Sequence, residues 1–228
     1  MSILTQSGRA AIAASIKEQA IHLAWGSGDA NWESSHKVEK TFAADNEIKL
    51  DHHPIKDVKV FIGQTTYQPS IDYIVDSSTG VIQRTENSSI VNNSTVTIEY
   101  VQSTPPEPIT SQKLLNELGR RTADEVLFCT GDENGELITP SGRFRPSNVP
   151  TNNLYLKFTF DFTNAANQVI RELGVMVGTK VKEELPIGQR YFEPQDIEDP
   201  GILLVLEHTV PLIRTSATRE TFSFVVTF

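Results

Sequence analysis

The chain has 228 residues, 38% of them hydrophobic and 21% charged. That length suits one large or two small domains, and the composition excludes disordered, collagen-like and low-complexity chains. Lys+Arg number 20 and Asp+Glu 29, giving a net charge of −9, the wrong sign for a general binder of nucleic acid or of anionic membrane.

The lone cysteine, Cys129, cannot form an intrachain disulfide, which fits a reducing compartment. No run approaches the ~18 apolar residues of a membrane span. Met1-Ser2-Ile3-Leu4-Thr5 lacks the basic-then-apolar pattern of a signal peptide, so a soluble protein made in the cytoplasm is expected.

The first predicted element is a helix from about Thr5 to Gln19. Thr5 or Ser7 can cap it, and Ala10-Ala11-Ile12-Ala13-Ala14 favours it. Ile12 and Ile16 share its one narrow apolar face, so it should lie on something larger. Ile21, Leu23 and Trp25 alternate as a short strand, closed by the turn Gly26-Ser27-Gly28-Asp29.

Short alternating runs around Val58–Ile62, Ile71–Val75, Val81-Ile82 and Val96–Val101 predict a small β unit over 55–103. Asp76-Ser77-Ser78-Thr79-Gly80 is a turn within it. Thr104-Pro105-Pro106-Glu107-Pro108 then forms a stiff linker. A second helix is expected at about Ser111 to Leu118, stopped by Gly119.

Ala123 to Thr130 reads as a strand, and Asn134-Gly135 as a two-residue hairpin turn with Leu137 and Ile138 opening the return strand. Leu154–Phe162 is the clearest strand, and Val169–Val177 follows as a more fully buried one. A long Pro-containing loop spans about 182–200, and loops of that length commonly carry function. Ile202–Val210 and Thr221–Phe228 supply the last strands.

The expected fold is therefore β-rich α+β. An antiparallel sheet or sandwich core, 1–54 with 104–228, carries two short helices and is interrupted by an inserted small β domain at 55–103.

No catalytic constellation emerges. His52-His53 point to opposite faces if extended, and no further His or Cys lies near, so a solvated loop is preferred to a metal site. His22, between Ile21 and Leu23, reads as a structural histidine. Gly26-Ser27-Gly28-Asp29 lacks the third Gly of a dinucleotide loop and the Lys-Ser/Thr of a P-loop. Cys129 sits in a strand pattern and reads as core. Asp132, Glu133 and Glu136 around the Asn-Gly turn are most simply solvated carboxylates. No cofactor or metal is expected.

Arg120-Arg121 and Arg143-Phe144-Arg145 are the tight basic groups. They suit either plain surface solubility or pairing with carboxylates across a subunit contact. Together with Tyr191 and Phe192 in the long loop, these arginines are the candidate interface residues. Trp25 and Trp32 are the candidate glycan-binding aromatics.

Three stretches carry a resemblance. Leu4-Thr5-Gln6-Ser7-Gly8-Arg9-Ala10 followed by Ile21–Asp29, the strand Arg171-Glu172-Leu173-Gly174-Val175, and Asp72–Ile82 resemble segments of tailed-bacteriophage virion proteins. The likeness is to the N-terminal attachment regions of tail-fibre and baseplate-adaptor proteins. The resemblance implies a non-enzymatic virion subunit of the phage tail, at the neck as a collar or at the baseplate as a fibre adaptor. It implies partners among other tail, neck or fibre proteins and a homo-oligomeric ring. Fibres usually continue into a shaft and tip, whereas this sequence stops at Phe228, so an attachment or ring module is expected. A carbohydrate- or receptor-binding module of the tail is the alternative.

Overall fold

The structure is a computed structural model, described here for residues 2–228. The fold is β-rich α+β, with antiparallel sheets and one α-helix among the described residues. The chain forms two compact units. One comprises the residues up to Gly28 together with Glu107–Phe228, and the other is Asp29–Pro106.

The first unit is a sandwich of two five-stranded sheets. In spatial order, the first sheet runs Tyr191–Phe192, Glu117–Thr122, Ile21–Gly26, Val169–Val177, Ile202–Ile213. The second runs Leu137–Thr139, Gly142–Ser147, Glu125–Gly131, Asn153–Phe160, Glu220–Thr227. Every pairing is antiparallel. The period-2 alternation sends Ile21, Leu23 and Trp25 inward from one sheet and Leu154, Leu156, Phe158 and Phe160 inward from the other. At the centre Trp25 stacks on Phe160, with ring centroids 3.5 Å apart.

The helix spans Gln6–Lys17. Thr5 caps it, its hydroxyl accepting the Gly8 N–H at 3.1 Å. Ala13 is fully buried and Ile16 packs on the sandwich core, while Ile12 stays 40% exposed.

The predicted second helix does not form. Residues 110–116 run as an irregular strap over the outer face of the first sheet. Leu114 packs there with Ala24 and Met176, and the Leu115 N–H donates to the buried Glu172 carboxylate at 3.0 Å. A side-chain acceptor has replaced the intrahelical one, and Glu117 already belongs to a strand. Gly119 is not a helix stop; a Cβ there would collide with the Tyr191 ring.

The Asn134-Gly135 turn is present, but its return strand pairs elsewhere. Leu137–Thr139 pairs with Gly142–Ser147, which itself lies against Glu125–Gly131.

The second unit pairs a four-stranded sheet (Ser35–Thr41, Thr95–Gln102, Ile55–Ile62, Thr65–Thr66) with a three-stranded one (Glu47–Lys49, Val81–Arg84, Tyr73–Asp76). Its own core holds Phe42, Ile55, Val60, Tyr73, Ile82, Ile98 and Tyr100. The buried Asp72 carboxylate accepts the N–H of Gln68 and both the N–H and hydroxyl of Ser89. These bonds, Gln68 first, hold its pKa below the usual carboxylate range. The unit begins at Asp29, ahead of the expected 55, because Ser35–Thr41 pairs along its whole length with Thr95–Gln102.

Candidate assembly surface

Most residues marked out by sequence turn out to be internal struts. Arg120 is 2% exposed. Its guanidinium forks onto both oxygens of Glu117 at 2.8 Å and also reaches Thr179 Oγ1 and the Pro200 carbonyl, each at 2.8 Å. That ties the strand to the segments at Thr179 and Pro200 and engages four of the five guanidinium N–H groups inside the chain. Arg121 is mostly covered and donates to Asn164 Oδ1 at 3.3 Å; desolvation lowers its pKa.

Tyr191 and Phe192 pair with Arg121 and Arg120 as the edge strand of the first sheet. Phe192 is buried, and Tyr191 meets Trp25 edge-on at 6.4 Å. The long loop is thus folded onto its own sheet over part of its length. Arg143 and Arg145 are the candidates that do face solvent, on strand Gly142–Ser147. Arg145 pairs with Asp132 at 2.6 Å.

The aromatic candidates are also internal. Trp25 is fully buried and Trp32 is 7% exposed. A glycan platform needs an open ring face, which neither presents.

Neither His22 nor Cys129 is poised for chemistry. His22 is buried, and desolvation, with help from the nearby Arg120 charge, lowers its pKa to about 4, so it is neutral at pH 7. Burial raises the Cys129 thiol to about 11, far from the thiolate a nucleophile needs. Among the described residues no cluster of three His, Cys, Asp or Glu could hold a metal ion.

What the sandwich does expose is apolar side chains and strand edges. Ile187 in the long loop and Ile109 before the strap stand wholly in solvent, and Ile3 is 82% exposed. Ile202–Ile213 and Glu220–Thr227 are edge strands of their respective sheets. A cleft of about 620 Å³ runs along the second of these edges, lined by Ile138, Leu173, Glu207, Phe222, Phe224 and Val225 among others. Sequence reasoning missed this edge. Its one signal was that residues 221–228 carry no charge.

The candidate surface thus consists of exposed apolar side chains and strand edges, with Arg120 spent on an internal brace. The comparisons place the chain among phage tail proteins. The family described as baseplate wedge 3 tail fiber network component matches residues 1–49 and 95–228, and the chain belongs to that family. No curated protein matches it. The match spans both sheets of the sandwich and passes over residues 50–94, which lie inside the second unit. No helix is long and apolar enough to cross a membrane among the described residues.

Proposed function

We propose that this protein is a non-enzymatic connector of the tail baseplate, present in several copies around the tail axis and holding fibre proteins to the wedge. The observation that carries the reading is the family match across the whole sandwich. The exposed Ile109 and Ile187, and the solvent-facing Arg143 and Arg145, are consistent with it as contact points for neighbours. Repeated copies present the same patch at every position, so a few such contacts per subunit suffice. Synthesis in the host cytoplasm, with the single buried cysteine kept reduced, fits the same reading.

Immunogold electron microscopy of phage particles and purified baseplates tests it. Label at the baseplate is the expected result. Label at the neck would reassign the subunit to the collar, and absence of the protein from purified particles by mass spectrometry would overturn the structural role.

A further inference from the structure

We propose that His36 and His52 form an acid-sensitive clasp in the second unit. With the imidazoles neutral it holds residues 50–54 closed against strands Ser35–Thr41 and Thr95–Gln102; with both protonated that segment opens. The inference goes beyond the connector reading and stands or falls separately from it.

The clasp is built from three rings. His36 on Ser35–Thr41 lies directly opposite Tyr100 on Thr95–Gln102. His52 comes from the connection between Glu47–Lys49 and Ile55–Ile62, which joins the unit's two sheets. The imidazoles stack with centroids 4.1 Å apart and planes 24° from parallel. The Tyr100 ring lies 5.2 Å from His36 and 6.0 Å from His52. Its hydroxyl shares a 2.7 Å hydrogen bond with His52 Nδ1, and the Ser34 hydroxyl shares one of 3.1 Å with His36 Nε2. Tyr100 is 2% exposed and belongs to the unit's core, so opening the clasp bares part of that core.

At the ends of the segment the Leu50 N–H donates to the Gly80 carbonyl and the Ile55 N–H to the Ser77 carbonyl. Between those points the His36–His52 stack and the solvent-facing Lys40–Asp51 pair tie it to Ser35–Thr41. A solvent-facing pair contributes little, so the stack carries the hold on this side. Two imidazolium charges at stacking distance repel one another.

The surrounding charges do not offset a second proton. Asp51 is paired with Lys40, Glu99 with Lys37 and Glu33 with Lys56. Asp76 accepts from Ser78 and Thr79 in its own turn. Asp57 and Lys59 line the groove beside His36 with opposite charges, and Glu39 and His53 are exposed to water. Burial, then the His52 charge, holds the His36 pKa below its usual value. Burial, then the Asp51 charge, raises that of Tyr100, which stays neutral while the histidines titrate. A lowered histidine pKa favours the closed form above about pH 6.5, and the closed form is lost as pH falls through the folded value.

The test is hydrogen–deuterium exchange on the full chain at about pH 7.5 and about pH 5, read by mass spectrometry and corrected for intrinsic rates. Residues 50–54 of the wild type are expected to exchange about tenfold faster at the lower pH. His36→Phe and His52→Phe keep a ring with no proton to gain and should remove the acid step. His22→Gln, in the sandwich, should keep it. His52→Gln stands in should a Phe variant lower the thermal midpoint at neutral pH. No acid step in the wild type, a step that persists in the variants at 36 and 52, or one lost in His22→Gln would each overturn the proposal.

Discussion

The guanidinium of Arg214 lies 5.3 Å from the ring centre of Trp25, and its side chain is entirely shielded from water. The arginine closes one end of the sandwich core. It donates to the carbonyls of Asp161, Asn164 and Thr218 and pairs with Glu220 at 3.5 Å. One buried cation thus ties the 161–164 turn, the 215–218 turn and the start of the last strand to the central tryptophan. Replacing it leaves several carbonyls without donors. Arg214→Met is expected to lower unfolding free energy by about 3 kcal/mol, measured by urea denaturation.

Acid should weaken the sandwich through His22. Its folded pKa of about 4 lies below the 6.5 of a free histidine, so the unfolded chain takes up the proton first. Stability is full above about pH 6.5 and is lost as pH falls toward 4, by about 2 kcal/mol at pH 5. His22→Gln should flatten this part of the profile relative to wild type. Parallel stability profiles for the two would refute the assignment.

The second unit should fold by itself. It has its own core, and its edge segments are tied internally, with Glu33 N–H donating to the Gln102 carbonyl at 2.8 Å. A fragment of residues 29–106 is expected to melt cooperatively. Asp72→Ala in it should cost about 2 kcal/mol by stranding the N–H groups of Gln68 and Ser89. A fragment without a cooperative transition would make the unit dependent on the sandwich.

Ile187 separates assembly from folding. Its side chain touches solvent on all sides, so Ile187→Asp should leave stability within about 0.5 kcal/mol. Incorporation into baseplates, quantified by mass spectrometry of purified particles, should fall. Unchanged incorporation would remove this loop from the contact surface.

Alternation was the legible signal. Leu154–Phe160 and Val169–Val177 could be read almost to the residue because their inward positions are large and apolar throughout. Ser35–Thr41 went unread because its sequence, Ser-His-Lys-Val-Glu-Lys-Thr, has a single apolar member; its place is fixed by the ladder to Thr95–Gln102. Leu114, Leu115 and Leu118 imitated a helix, but Glu172, distant in sequence, captured the Leu115 amide. The arginine pairs looked like surface charge for a similar reason. Composition around Arg120 and Arg121 does not reveal that Thr179 and Asn164 will face them across the fold. The candidate assembly surface was the least legible part, since a strand's place at the end of a sheet is a property of topology and not of residue type.

The second unit leaves and rejoins the sandwich between two strands that are themselves neighbours, Ile21–Gly26 and Glu117–Thr122. Where the excursion ends, the Ser27 N–H meets the Asn116 carbonyl at 2.9 Å. To the sandwich, the whole detour is one hairpin loop. Loop-closure cost grows only logarithmically, by about 0.6 kcal/mol per doubling of length. This junction therefore works as a socket: what is plugged into it can change in length at small cost while the sandwich sheets keep their register.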